Sequence, residues 1–459
     1  MSLRFDYNNM MSANLGQNGL TDEELHRYIL QGENALNLFV EKIGTGMTGW
    51  VDVEDENGEV VEDLQKFASQ ARKDFDYFVV FGIGGSALGA KTIFDTLAPI
   101  NFNLLPKEKR NAPMVFVEDN IDAEKIESLF NLIDVKKTLF NIVTKSGKTT
   151  ETLSQFMLAV DKLKSAGVQD LAKHFVFTTD SKDGYLAKIA GDMKVKTFIV
   201  PQNVGGRFSV LTPVGLLPAA MIGVDIKSML LGAKTMKKRS LEIVENPALM
   251  KAVLEFAYYH KDKKVNVVMP YSSRLRSYAE WYAQLLAESI GKRFNNKKQF
   301  VNVGITPICS VGATDQHSLQ QLFVEGPFDK IVTFVSVEKQ KSHITIPNEN
   351  FGIEDLDYLC GKDFESLLPI ENESVKYALT KAKKVNNTIV LDELNAFTLG
   401  ELFMFNMFEI AILGELFDVN AFNQPGVEDG KIATFSLLKK KGFENSVMLP
   451  NKDEKYIIP

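Results

Sequence analysis

Short apolar runs recur along the first half of the chain, each followed by a stretch of helical periodicity. Phe78-Val79-Val80-Phe81 is closed by Gly82 and precedes a helical pattern through Ala98. Met114 to Val117, Leu139 to Val143, Phe175 to Phe177 and Thr197 to Val200 repeat the strand-like pattern. Ala123 to Leu132 reads as a helix with Asp122 as its N-cap, and Glu151 to about Lys164 as a longer amphipathic one. Short apolar strands alternating with helices predict a parallel sheet covered on both faces.

The pattern then returns. Val265 to Met269 opens a second series and leads into a helix from roughly Arg274 to Ile290. Thr306 to Cys309 and Ile331 to Val335 supply further strands, and residues 226–260 read as helical throughout, bridging the halves. The expected fold is α/β, with two doubly wound parallel-sheet domains. Residues 1–225 hold an N-terminal segment and the first sheet; residues 226–459 hold the second sheet and a C-terminal helical arm. The most apolar helical run, Leu402 to Phe417, carries Asn406, Glu409 and Glu415. These interrupt the ~18 uncharged residues a membrane span needs, so a buried helix is expected.

Composition narrows the function classes. With 459 residues, 45% of them apolar, the chain can build a sizeable core without disulfide or metal staples. Its formal net charge of −7 argues against nucleic acid and anionic membrane as partners, because nothing steers it toward phosphate backbones. Cys309 and Cys360 are too few for a thiolate site, and the five histidines are widely separated, so no metal is expected. The opening residues lack the basic stretch and apolar core of a secretory signal, and the expected compartment is the cytoplasm.

Ligands of open parallel sheets bind outside the carboxyl ends of the strands, and two loops there carry chemistry. Gly82-Ile83-Gly84-Gly85-Ser86-Ala87-Leu88-Gly89 lets backbone approach an anion at a helix N-terminus. A dinucleotide fingerprint would need an acidic residue ~20 positions on; Glu118 and Asp119 come too late. A tight strand-to-helix turn remains the plain reading. Thr144-Lys145-Ser146-Gly147-Lys148-Thr149-Thr150 fails as a Walker loop, since the first glycine would fall at Ile142. Its hydroxyls and lysines suit a terminal phosphate monoester, although N-capping by Thr149 or Thr150 explains part of the cluster.

Four more positions stand out, each with an ordinary alternative. Glu288 shares a largely apolar helix face with Trp281, Gln284 and Leu285, where burial would raise its pKa toward that of a general base. Pairing with Lys292 at i+4, or a half-exposed rim position, is the alternative. His317, in Gly312-Ala313-Thr314-Asp315-Gln316-His317, falls in the first turn of a helix, where a neutral imidazole is favoured; a solvent-facing histidine is equally compatible. Arg207 follows a glycine pair and suits an oxyanion or a surface ion pair. Lys431, after the turn Gln424-Pro425-Gly426, opposes the helix dipole, which favours an anionic partner.

Six segments, FGIGGSALG, TKSGKTTET, VGGRFSVLTPVGLLP, QLLAESIGK, GATDQHSLQQ and NQPGVEDGK, occur in one order over about residues 75 to 435. In this the sequence resembles the phosphoglucose isomerase (glucose-6-phosphate isomerase) family in its shorter bacterial form. The resemblance implies two sugar-isomerase (SIS-type) domains, a homodimer with sites shared between subunits, and no cofactor. It implies interconversion of glucose 6-phosphate and fructose 6-phosphate, in glycolysis and gluconeogenesis. Ser86, Ser146 and Thr149 would hold the phosphate, with Gly85 and Lys145 nearby. Glu288 would move a proton between C2 and C1, and Arg207 would stabilise the enediolate. His317, from the neighbouring subunit, and Lys431 would assist ring opening, while Gln284 and Gln424 would contact sugar hydroxyls. Ser146-Gly147-Lys148 departs from the triplets of other branches. A non-catalytic sugar-phosphate regulator would keep the hydroxyl loop but has no need of Glu288, Arg207 and Lys431 together.

Overall fold

Two sheets organise the chain, the first parallel throughout and the second parallel except for one edge strand. The computed structural model describes residues 2–458 apart from 53, 54, 56 and 181–183. Residues up to Ala421 make one compact unit that contains both sheets, and Phe422–Pro459 make a second, small one. The chain starts with β1 (Leu3–Asp6) and helices α1 (Asp22–Lys42) and α2 (Glu59–Asp74). The start of α1 is fixed by a capping box in which Thr21 Oγ1 accepts the Glu24 N–H and the Glu24 carboxylate accepts the Thr21 N–H.

The first sheet consists of β2 (Tyr77–Phe81), β3 (Met114–Glu118), β4 (Thr138–Val143), β5 (Phe175–Thr179) and β6 (Lys196–Ile199), all parallel, in the order β3-β2-β4-β5-β6. Helices α3 (Leu88–Leu97), α4 (Ala123–Leu132), α5 (Thr150–Ser165) and α6 (Tyr185–Met193) connect them. Asp122 caps α4 as expected, accepting from the N–H groups of Glu124 and Lys125. Chain order reverses between β2 and β4, so a crevice opens at their carboxyl ends.

Three helices follow, α7 (Pro213–Met221), α8 (Ile226–Ser240) and α9 (Pro247–Tyr259). The stretch 226–260 is therefore two helices and not one. Asn246 accepts the Leu249 N–H at 2.9 Å and Pro247 takes the first helical position, a combination that starts a new helix. The second sheet is built from β7 (Val265–Pro270), β10 (Thr306–Cys309), β11 (Lys330–Lys339) and β12 (Asn386–Glu393), in the order β1-β12-β11-β7-β10. Its start repeats the reversal of the first sheet. β1, from the segment grouped by sequence with the first sheet, pairs antiparallel with β12 at its edge. A two-stranded ribbon, β8 (Lys292–Phe294) and β9 (Phe300–Val303), follows helix α10 (Arg276–Ile290). Helices α11 (Gln316–Glu325), α12 (Phe364–Lys381) and α13 (Ala396–Leu416) complete this unit. The C-terminal unit contains α14 (Glu428–Leu437).

Helix α13 is long and apolar enough to cross a membrane by length and composition, but 89% of its most apolar window is buried within the protein. It is the core helix that the interrupting polar residues suggest. It meets α8 at very close range: a Cβ added to Gly400 would lie 1.9 Å from the Met229 carbonyl oxygen, and one on Gly232 equally close to that of Phe397. No side chain larger than hydrogen fits either place.

Beside this crossing lies a fully buried ionic cluster. Lys251 on α9 donates to Glu255, to Glu409 of α13 at 2.6 Å and to Tyr282 of α10 at 2.9 Å. Tyr282 donates to Glu409 at 2.6 Å, and Asn266 of β7 donates to Glu255. Burial, opposed by Lys251 and reinforced by Glu409, pushes the Glu255 carboxyl up to about 7. Because its folded pKa is raised, the stability tied to this proton is complete below the ordinary carboxyl range and is lost as pH rises through about 7. Compared with Glu255→Gln, the wild-type chain should therefore lose stability as pH is raised across that window, read as the difference between their denaturant unfolding free energies. A difference that does not change with pH would show that Glu255 ionises normally.

Candidate active site

The loop after β2 and the loop after β4 flank the reversal point of the first sheet. In the first, Gly84 adopts φ +55° and opens a single helical turn, Gly84–Ser86, ahead of α3. A Cβ on Gly85 would lie 2.3 Å from the Gly206 carbonyl oxygen, and one on Gly84 would lie 2.9 Å from Gln284 Nε2. The glycines thus bring this loop against the turn Gly206–Phe208 and against α10, and they place half-buried Ser86 beside Arg207's turn.

In the second loop, Thr144 Oγ1 lies 2.7 Å from Thr149 Oγ1 and 3.4 Å from Ser146 Oγ, which also accepts the Lys148 N–H at 3.2 Å. Thr149 sits at the N-cap of α5, but its side chain makes no capping bond. Simple N-capping by Thr149 is therefore not what this hydroxyl does. The cluster of Thr144, Ser146 and Thr149 instead presents hydroxyls next to an uncapped helix N-terminus, which favours an anion. Lys145 Nζ donates to the Gln202 carbonyl at 2.7 Å; burial pushes its pKa down, with Asp180 opposing.

Arg207 and Glu288 form the centre. Arg207 is almost wholly buried: Nε donates to Ser289 Oγ at 2.7 Å and another guanidinium N–H to the Ala421 carbonyl. One further nitrogen is 3.6 Å from Glu288 Oε2. Burial pushes the guanidinium down to about 10, with Glu288 opposing, so it stays charged at neutral pH. The side chain of Glu288 is 31% exposed, and its Oε1 accepts from Gln284 Nε2 at 3.0 Å. Gln284 Oε1 is buried and finds no hydrogen-bond partner among the described residues, leaving an acceptor for a ligand hydroxyl.

The i+4 alternative for Glu288 does not hold. Lys292 Nζ donates to backbone carbonyls, that of Glu288 at 2.5 Å and that of Ser289 at 2.8 Å, and not to the carboxylate. Burial first, then Arg207, pushes Lys292 down to about 8, with Glu288 opposing. The site reading from sequence missed Ser289 and this use of Lys292.

His317 is exposed in the first turn of α11, as its position suggests, and its ring is not hydrogen-bonded to the Arg207–Glu288 pair. In the C-terminal unit, Gln424 precedes the turn Pro425–Val427, and exposed Lys431 on α14 pairs with Glu428 at 2.8 Å. Among the described residues no group of three or more His, Cys, Asp or Glu is placed to hold a metal ion.

Residues 47–454 match the family model described as phosphoglucose isomerase. Glucose-6-phosphate isomerase of Carboxydothermus hydrogenoformans is 42% identical over 463 residues, with 100% of both chains covered. Among solved structures, a hypothetical protein from Thermus thermophilus is similar with a TM-score of 0.85 and 36% identity, covering 95% of this chain and 99% of that one. A glucose-6-phosphate isomerase from Chlamydia trachomatis shares the fold, with a TM-score of 0.80 and 20% identity over 95% of this chain and 88% of its own.

Ser289→Ala should cost about 1–3 kcal/mol of stability, because it leaves a buried guanidinium N–H without its acceptor. Denaturant unfolding measures this, and a change within about 0.5 kcal/mol, typical of surface positions, would mean the Arg207 contact contributes little.

Proposed function

The chain belongs to the phosphoglucose isomerase family, and on that premise we propose that Glu288 and Arg207 are the reacting centre for interconversion of glucose 6-phosphate and fructose 6-phosphate. The observation that carries this reading is a carboxylate held beside a buried, charged guanidinium, against the glycine loop of the sheet's crevice. In the open-chain aldose, the Glu288 carboxylate removes the proton from C2, and the electron pair forms a C1–C2 double bond while charge moves onto O1. O1 gains a proton and O2 gives one up as C2 becomes the carbonyl. Glu288 returns its proton to C1. The charge that develops on oxygen faces a cation that cannot readily lose its proton, so Arg207 stabilises the enediolate more than the substrate.

Ser86, Ser146 and Thr149 would bind the phosphate, with Gly85 and Lys145 close by; the hydroxyl cluster at the α5 N-terminus supports this. Phosphate binding remote from C1 and C2 supplies positioning. Gln284 would receive a sugar hydroxyl on its unpartnered Oε1. Ring opening would fall to His317 and Lys431, and Gln424 would contact a hydroxyl; for these three the motif match is the support. We further propose a homodimer in which His317 reaches the site of the other subunit, which its exposed ring allows. A regulator that only senses sugar phosphate would leave the Arg207–Glu288 pair without a task.

The purified chain should interconvert the two hexose phosphates in a coupled assay, and Glu288→Gln should slow exchange of the C2 proton with solvent by about 10²–10⁴-fold. Undiminished exchange would remove Glu288 from the role of base. Mixed dimers of a His317→Ala chain with a Glu288→Gln chain should keep one intact site and about half the activity of the wild-type dimer. Complete inactivity of the mixed dimers would show that each site draws both residues from one chain.

A further inference from the structure

Lys292 has no task in the reaction as described, yet it is 7% exposed, and a lysine is seldom buried without one. It follows Gly291 directly after α10, and its Nζ takes the carbonyls of Glu288 and Ser289 in the last turn, groups that a helix leaves without internal partners. A cation there is favoured by the helix dipole. The same Ser289 accepts Arg207 Nε through its hydroxyl, and Arg207 faces the Glu288 carboxylate. Lys292, Ser289, Arg207 and Glu288 therefore close a ring of contacts in which both cations act on the residue that carries the base.

We propose that Lys292 is a positioning residue of the isomerisation: its ammonium group clamps the backbone of Glu288 and adds to Arg207 the positive field in which the enediolate forms, so that its deprotonation sets the alkaline limit of activity. The proposal rests on Glu288 being the base. The charged groups that face Lys292 are Glu288 from α10 and Arg207 from the 206–208 turn. Of the two cations, Lys292 is the one poised at about 8, whereas Arg207 stays charged to about 10. The sign follows: as pH rises through about 8, the ammonium loses its proton. The neutral amine can still donate to two carbonyls, so the clamp persists, but the added field is gone.

The test is the pH profile of kcat/KM for wild type, Lys292→Arg and Lys292→Met, with circular dichroism and thermal unfolding to confirm that each variant is folded. Wild type should lose activity with an alkaline midpoint near 8. Lys292→Arg should move that midpoint upward by at least about one pH unit, because a guanidinium keeps its proton. Lys292→Met should lower kcat/KM at neutral pH by about tenfold, equivalent to one pKa unit of lost interaction, and abolish the limb. An alkaline limb at the same pH in folded Lys292→Arg overturns the proposal and leaves the isomerase reading intact. A wild-type chain with no isomerase activity overturns that reading instead. If neither variant folds, warming the wild-type enzyme decides the matter. Ammonium ionisation absorbs heat, so the limb should move to lower pH; a limb that stays in place overturns the proposal.

Discussion

The buried lysine between two glutamates decides where the rest of the core can sit. Taking charged side chains out of water costs several kcal/mol each unless every charge is met by hydrogen bonds. Here Lys251 is met by Glu255, Glu409 and Tyr282, and the carboxylates by Asn266, Asn406 and the same tyrosine. Apolar surfaces tolerate sliding by an ångström or two, whereas these bonds form only when α9, α10, α13 and β7 are in one register. Within this cluster, Glu255 Oε2 finds no partner among the described residues, consistent with a carboxyl that holds a proton near neutral pH. Tyr278 adds another link, donating to Asn406 of α13 at 2.8 Å. Helix α10 is pinned on that face, and its other face carries Gln284 and Glu288. The placement of Gln284 and Glu288 is inherited from the core behind them.

What the front of α10 meets is set by close backbone approach rather than by side-chain bonds. The loop Gly84–Ser86 rests on the Gly206 carbonyl because Gly85 has no Cβ, and Gln284 lies against Gly84 for the same reason. Arg207, on the same turn, is thereby brought to Glu288. Locally two buried cations, Arg207 and Lys292, stand against one partly exposed carboxylate. A chain of net charge −7 so contains a centre of positive field, suited to an anion that the surface as a whole would not attract.

Strands of the first βα series were legible because β2, β4 and β5 are buried along nearly their whole length and read as apolar runs, interrupted in β4 by Asn141. β12 was not, because it begins Asn386-Asn387-Thr388, which looks like loop. These side chains are nonetheless buried, and Asn386 is held by Thr380 Oγ1 and the Lys384 carbonyl. β1 is only four residues long and pairs with a partner some 380 positions away, a contact no local pattern encodes. In the site, residue types and motif order pointed to Glu288 and Arg207 themselves. The identity of their supports was not visible: Ser289 reads as one more small helical residue, and Lys292 as a solvent-facing i+4 partner. Its true acceptors are main-chain carbonyls, which every residue has.

The asymmetry between the two central groups fits a base that must serve two adjacent carbons, about 1.5 Å apart along the bond. Arg207 is immobilised by Ser289, by the Ala421 carbonyl and by burial, with a side chain only 1% exposed. Glu288 is tethered through one oxygen only, where Gln284 donates at 3.0 Å, while Oε2 stands 3.6 Å from the guanidinium, beyond hydrogen-bonding distance. A bidentate pair would occupy both lone-pair sets and fix the carboxylate over one point. On the proposed reading, the looser contact would leave Oε2 free to take a proton at C2 and carry it to C1, beside a guanidinium held by its own hydrogen bonds.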